Sequence, residues 1–487
     1  MITRRQFLRT TALAALAPSL IRGREEVWVN DVHSQLNGTR VRSILAPTTQ
    51  SELADAVISA TRLGLPISAS GCRHSMGGQQ FVTDGICLDT RHLSRLLSFD
   101  RERGLIEAEA GMQWPGLIRA YLEAQRDSST QWGIAQKQTG ADSFTLGGSL
   151  SSNVHGRGLS MKPLISNVES FTLIRADGKR VRCSRNENDE LFRLAIGGYG
   201  LFGAIETVTL RLVPRRKLRR VVEVIHADEL ARYFAKRIAD GFFYGDFQFS
   251  IDENSPDFLR RGVFSCYRPI DQHEAVGADK TLRQEDWFSL LRLAYTDRAK
   301  AFEQYAQYYL STNGQTYWSD TNQLSAYLPN YARKLHEEMG GEESSLIITE
   351  IYVPRLDLAN FLKEAADLLR TNGTVVIYGT VRLIEKDEES FLAWAKQPYA
   401  CVIFNLLTPH TPQGIDTSGL SFRGLIDLAI ARTGSYYLTY HRFARREQVA
   451  ACYPQFEKFL ALKARHDPAK RFQSDWYLHN QKLFGMT

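Results

Sequence analysis

The sequence predicts an α+β protein of two main domains, and three observations carry that expectation. The chain has 487 residues, 43% of them hydrophobic, which is enough for more than one core. Residues 38–214 alternate short strands with amphipathic helices around two loops of small residues. After Pro214 the texture changes to longer, aromatic-rich helices mixed with alternating strands such as "SLIITEIYVP" and "TVVIYGTVRLI", a second α+β region of domain size.

"MITRRQFLRTTALAALAPSLIRG" places Arg4 and Arg5 before Phe7, Leu8 and an apolar stretch too short to span a bilayer. Residues 1–27 therefore read as a twin-arginine export signal, which puts the mature protein outside the cytoplasm, with no integral membrane segment, and hints at a cofactor loaded before export. "RSILAPTTQSELADAVISATRLGLPISASG" reads as strand, Pro-containing turn, helix with Leu53, Val57, Ala60 and Leu63 on its apolar face, and strand. Two short strands and a helix follow, then a loop, "TLGGSLSSNVHGRG" (145–158). "NVESFTLIRADGKRVRCSR" is a hairpin turning at Asp177-Gly178. "GGYGLFG" contains a formal GxGxxG at Gly198, Gly200 and Gly203, but a helix-like segment precedes it and a strand-like one follows. A dinucleotide fingerprint needs the reverse order, so a Rossmann site is rejected. In "LRLAYTDRAKAFEQYAQYYL" the tyrosines and phenylalanines are expected to pack in the core.

Charge and cysteine usage narrow the function. The net charge is +6, but 60 basic and 54 acidic residues are interspersed. The one dense basic run, "PRRKLRRV" (214–221), reads as a solvated junction between domains, and no nucleic-acid partner is expected. Six cysteines lie far apart with no metal-ligand spacing, so no metal site is expected; disulfides and buried free thiols both stay open.

The two loops, "SASGCRHSMGGQQF" (68–81) and "TLGGSLSSNVHGRG", are dominated by residues that let a backbone approach a large anionic ligand closely. Together with "DELFRLAIGGYGLFGAIETVTL" and the tail "DPAKRF", they resemble FAD-dependent oxidoreductases of the vanillyl-alcohol-oxidase (PCMH) type, over almost the whole chain after residue 28. Within that type the likeness runs to prenyl-phosphate-sugar oxidases and to alditol and sugar-lactone oxidases. The resemblance implies a two-subdomain FAD-binding domain (38–214), a substrate cap with an antiparallel sheet (215–440) and a C-terminal segment (441–487) returning to the FAD domain. It implies that Ser70, Gly71, Cys72, Arg73, His74, Ser75 and Met76 cradle the pyrophosphate, that Thr139, Gly140, Gly147, Gly148 and Ser151 line it from the second loop, and that Gly203 and Ile205 sit near the adenine or ribose. In the Gly-x-x-His-Ser register His74 is the candidate for covalent attachment to FAD, where an imidazole would raise the flavin potential and retain the cofactor outside the cell.

The same resemblance implies hydride transfer from a substrate CH–OH to flavin N5, which needs a proton acceptor and a cation near the flavin. His155 aligns with a family histidine near flavin and substrate. Arg382 occupies the place of a cation on a cap strand, and Glu350, with Tyr352, lies on one face of an alternating strand. Thr380 stands where alditol oxidases carry glutamate, and Tyr440 and His441 stand where related enzymes carry a lysine, so either could serve as base or donor. The expected activity is oxidation of a small carbohydrate-like substrate (a sugar, polyol or aldonolactone) with oxygen, a quinone or a redox protein as electron acceptor. A prenyl-phosphate-sugar oxidase and a non-catalytic flavin- or sugar-binding exported protein are the alternatives.

Overall fold

The computed structural model describes residues 26–277, 280–325, 328 and 330–486. Residues 1–25, which hold the twin arginines, lie outside them. The first domain holds two small sheets. In one, the parallel strands Ser43–Leu45, Ile86–Asp89 and Ile67–Ser70 lie in that order. Helix Gln50–Arg62 makes the crossover and buries Leu53, Ala54, Val57 and Ala60 against them. Leu63, expected on that apolar face, caps the helix and is 53% exposed, because the helix ends before its side chain can turn inward. The second sheet is antiparallel, five strands in the order Arg180–Ser184, Val168–Ile174, Ala204–Arg211, Leu105–Glu109, Leu96–Asp100. Its first two strands are the hairpin read at Asp177-Gly178. Helix Asp189–Ala195 precedes Gly198–Gly203 and strand Ala204–Arg211 follows, the order that excludes a Rossmann turn.

The second domain is built on an eight-stranded antiparallel sheet. Its order is Thr316–Trp318, Lys217–His226, Arg261–Pro269, Tyr244–Phe249, Val376–Ile384, Tyr399–Pro409, Ser344–Pro354, Ser435–Tyr436. Directly paired residues of neighbouring strands share a face. Phe264, Phe247, Val381 and Val402 thus fall on one face. That face is apolar; Phe234 of helix Leu230–Ala239 meets Phe264 there, with ring centroids 5.0 Å apart. The opposite face carries Arg220, Asp246, Gln248, Thr380, Arg382, Cys401 and Glu350, all buried. A sheet face this polar and this buried is built for something other than packing.

Two segments join the halves. The loop after helix Leu146–Ser152 runs along the cap strand Tyr244–Phe249: Gly158 bridges Tyr244, and the Gly245 amide donates to the Arg157 carbonyl at 2.9 Å. The C-terminal segment leaves the cap sheet at Ser435–Tyr436 and pairs Phe472 with Ile67. Asp467 of the "DPAKRF" tail accepts the Arg471 and Phe472 amides at 3.0 and 2.7 Å, which fixes the turn that makes that pairing.

The long aromatic segment is two helices, Gln284–Thr296 and Arg298–Ser311, broken at Asp297, whose carboxylate caps the second by accepting the Lys300 amide. Its rings do not simply fill a core: Phe302, Tyr305, Tyr308 and Tyr309 wall a cavity. The basic run is likewise only partly a solvated junction. Arg215 is paired with the buried Asp320 at 2.9 Å, and Arg220 sits inside the protein on the polar sheet face.

Candidate active site

The first glycine-rich loop leaves strand Ile67–Ser70 and meets the second at close range. A Cβ on Gly71 would lie 2.3 Å from Thr145 Oγ1, so only glycine lets the loops touch. Thr145 caps helix Leu146–Ser152 by accepting the Gly148 amide at 3.2 Å, and the Gly147 amide donates to the Ala110 carbonyl at 2.7 Å. Gly203, at φ +149°, passes so near Ile174 that a Cβ would be 2.5 Å from its carbonyl oxygen.

Between the loops runs a channel lined by Ser70 to Met76, Gly140, Gly147, Gly148, Ser151, Gly203 and Ile205. Those expected cofactor contacts are brought together. Thr139 is not: it faces the neighbouring cap cavity, with its carbonyl accepting from Ser325 Oγ at 2.7 Å. The channel fits a flavin dinucleotide on its own terms. Buried Arg73 Nε and Gln80 Oε1 have no partner among the described residues, and the glycine contacts leave backbone rather than side chains facing the space.

His74 lies on the channel wall with its ring 4.1 Å from Phe144. Its Nδ1 is 2.8 Å from His33 Nε2 and its Nε2 is 3.0 Å from Ser143 Oγ. Burial pushes His74 down to about 3 and His33 down to about 4, so both rings are neutral at physiological pH and one donates to the other. His33 was not foreseen; it comes from "VWVNDVHSQ", a segment without any local motif, and reaches the channel because Asp31 accepts the His33 and Ser34 amides at 2.9 and 2.6 Å.

At the cap end, His155, Glu350, Tyr440 and Arg382 converge. Glu350 Oε1 is 2.5 Å from His155 Nε2, and Tyr440 donates to Glu350 Oε2 at 3.3 Å. His155 Nδ1 is 3.0 Å from the Gly156 carbonyl, which can only accept. Nδ1 therefore carries hydrogen, and the short Nε2–Oε1 contact needs a proton as well, so His155 and Glu350 hold one proton between them. Burial alone would raise the Glu350 carboxyl, but His155 and Arg382 outweigh it and hold it below the ordinary carboxylate range. Burial, then the Glu350 charge, pushes Tyr440 well above the phenol range, so it keeps its proton. Cys401 Sγ stands within 4.8 Å of the pair, but burial raises that thiol too, and a protonated thiol is a poor metal ligand.

Arg382 donates from Nη1 to Gln138 Oε1 at 3.0 Å, and its Nε has no partner among the described residues. Gln138 belongs to a loop pinned from within by Lys137, fully buried, whose ammonium pairs with Asp142 at 2.7 Å and donates to the carbonyls of Gln138 and Ala141. Sequence reading missed Lys137 and Gln138, which carry no motif. His441 is the one catalytic candidate not brought to the site. The chain turns away after Tyr440; the His441 ring stacks on Phe443 at 4.0 Å, its Nδ1 accepts the Arg442 amide at 3.0 Å, and it lines neither space.

Beyond Arg382 the cap encloses a cavity of about 840 Å³, reaching from Thr139 and Gly140 to the aromatic helices.

Comparison with known proteins agrees with this architecture. Residues 41–184 match the model of an FAD binding domain. The chain is 23% identical to an L-gulono-1,4-lactone dehydrogenase of Mycobacterium tuberculosis over 443 residues, 89% of this chain and 94% of that protein. It is 31% identical to the L-gulonolactone oxidase of Mus musculus over 170 residues (35% and 37%), and 28% identical to cytokinin dehydrogenase 2 of Oryza sativa subsp. japonica over 192 residues (39% and 34%). The chain is an FAD-linked oxidoreductase with a PCMH-type FAD-binding domain and an α+β cap. Two of these relatives are named for sugar lactones. No helix among the described residues is long and apolar enough to cross a membrane.

Proposed function

We propose that the protein oxidises a CH–OH group of a sugar, polyol or aldonolactone. The observation that carries this reading is the buried cluster of Tyr440, Glu350 and His155, in which Tyr440 lines the flavin channel and bonds Glu350, with the charge of Arg382, on the cap-cavity wall, acting on Glu350. FAD, when bound, supplies the two-electron acceptor. Tyr440 is placed to take the substrate hydroxyl proton while passing its own to Glu350 Oε2, so no free phenolate is required. The proton shared with His155 keeps Oε1 occupied, which directs the incoming proton to Oε2. Arg382, whose Nε is uncommitted, supplies positive charge for an oxygen that becomes electron-rich. His441 has no part in this scheme.

His74 is the proposed point of covalent flavin attachment, supported by its place on the channel wall; a bond would replace its contact with either His33 or Ser143. The twin-arginine segment supports export, and the acceptor for reoxidation is oxygen, a quinone or a redox protein. The test is anaerobic reduction of the purified flavoprotein. Bleaching by L-gulono-1,4-lactone or a related sugar, lactone or polyol is expected; a flavin that dithionite reduces but no carbohydrate does would overturn the reading.

A further inference from the structure

The wall of the cap cavity carries more buried positive charge than the chain neutralises. Among the described residues, Arg157, Arg220 and Arg382 line it with no carboxylate within ion-pair distance. Arg157 and Arg220 lie over the one ring of Tyr267, at 5.0 and 5.1 Å from its centroid. Their bonds go to neutral groups: Arg157 to the carbonyl and side-chain oxygens of Asn322, Arg220 to Tyr267 OH and Thr312 Oγ1. Arg157 Nε is buried and has no partner among the described residues. Arg215, only five positions from Arg220, shows the ordinary solution for a buried arginine, two contacts to Asp320 at 3.0 and 2.9 Å. The protein neutralises the arginine that faces its core and leaves charged the two that face the cavity.

The remaining wall defines what accompanies the charge. Among the described residues, Asp246 Oδ1, Gln248 Oε1 and Asn322 Nδ2 are buried without partners, on residues 3%, 4% and 7% exposed. Unpaired acceptors beside an unpaired donor match groups that donate and accept together, which hydroxyls do. Among the described residues of the wall, Asp246, whose Oδ2 accepts from Gln248 Nε2 at 2.7 Å, is the one carboxylate without an ion pair and stands beside three arginines, so the charge excess survives it. The volume, near the upper end for small-molecule sites, exceeds what a single five-membered lactone needs. Tyr305, Tyr309 and Trp287 offer ring faces for the rest of a larger molecule.

We propose that the cap cavity takes an acidic carbohydrate: its oxidised hydroxyl lies at the Tyr440–Arg382 end, and its carboxylate or phosphate lies against Arg157 and Arg220. This rests on the carbohydrate-oxidising reading above and narrows its substrate class. The Arg157–Tyr267–Arg220 stack is the anion subsite, and Asp246 sets how strongly it attracts.

The test is calorimetric titration of the oxidised flavoprotein with three probes: phenyl β-D-glucopyranoside, phenyl β-D-glucuronide and the 6-phosphate of the neutral glycoside. At least one acidic probe is expected to bind ten-fold or more tightly than the neutral one, and the better of the two names the anion. Arg157→Gln and Arg220→Gln should abolish the preference while flavin content stays at the wild-type level, and Arg157→Lys should keep part of it. Asp246→Asn should tighten the acidic probe several-fold, a gain that misfolding cannot imitate. Equal binding of the three probes to the wild type, or no gain in Asp246→Asn, would overturn the proposal. Reduction of the flavin by neutral lactones with equal probe binding would keep the oxidoreductase reading and remove this one; acid-selective binding with no carbohydrate able to reduce the flavin would do the reverse.

Discussion

The flavin channel and the cap cavity lie side by side and share Gly140, yet they are built on opposite principles. The channel is made of two short stretches of chain whose small residues bring backbone to the ligand. The cavity wall is set by single side chains from separated parts of the chain, Arg220, Asp246 and Arg382 each from its own strand and Arg157 from the loop after helix Leu146–Ser152. Geometry carries binding in the first and charge carries it in the second. A methyl group should therefore damage the channel most, and an isosteric loss of charge should damage the cavity most.

The largest effect should come from Glu350→Gln, which removes the proton acceptor without changing shape. Flavin reduction in stopped flow should slow by about 10³-fold, with FAD content unchanged. Tyr440→Phe should cost about 10²-fold, whereas His441→Ala should change the rate less than about three-fold; a large His441 effect would move the base back to the residue that stacks on Phe443. On the channel side, Gly71→Ala should lower stability by about 2 kcal/mol and reduce flavin loading. Thr145→Ala, which removes the Oγ1 that a Cβ at residue 71 would meet at 2.3 Å, should restore part of the flavin loading while giving up the helix cap. His74→Ala should send the yellow colour to the supernatant after acid precipitation, while the wild type keeps it in the pellet; colour in the wild-type supernatant would remove the covalent proposal.

The smallest and broadest effect is on pH. His33 and His74 titrate near 4 and 3 in the folded chain, below the unfolded value near 6.5. The unfolded state then binds more protons, so stability is complete above about pH 6.5 and is lost as pH falls toward 4, by on the order of 2 kcal/mol for each ring. Thermal melts of wild type and His33→Gln across that window should converge at low pH.

The same contrast explains what was legible in the sequence. "SASGCRHSMGGQQF" and "TLGGSLSSNVHGRG" are contiguous, so their composition alone marks a place where backbone meets a large ligand. Asp177-Gly178 and the order around Gly198–Gly203 are equally local, and the strands stand where those signals put them. Arg220 was misread because its neighbours are basic: strand alternation turns Arg220 inward while Arg219 pairs with Glu274 near the surface, a difference that appears only once the strand has a sheet. The tyrosines of residues 305–309 fit a core and a cavity equally well by periodicity, since both are apolar faces. His33 and Lys137 are single residues whose partners, His74 and Asp142, give no spacing to recognise.

Residues 145–158 begin by touching Gly71 across the flavin channel and end by handing His155 to Glu350 and Arg157 to the cap. A ligand that stiffens one end of so short a tether lowers the entropic cost of ordering the other. Affinity for a substrate analogue and affinity for FAD should therefore rise together and by the same factor, as linkage demands. The chain would then sense an empty cofactor channel as a weakened grip on substrate, so that a molecule unable to react also declines to bind.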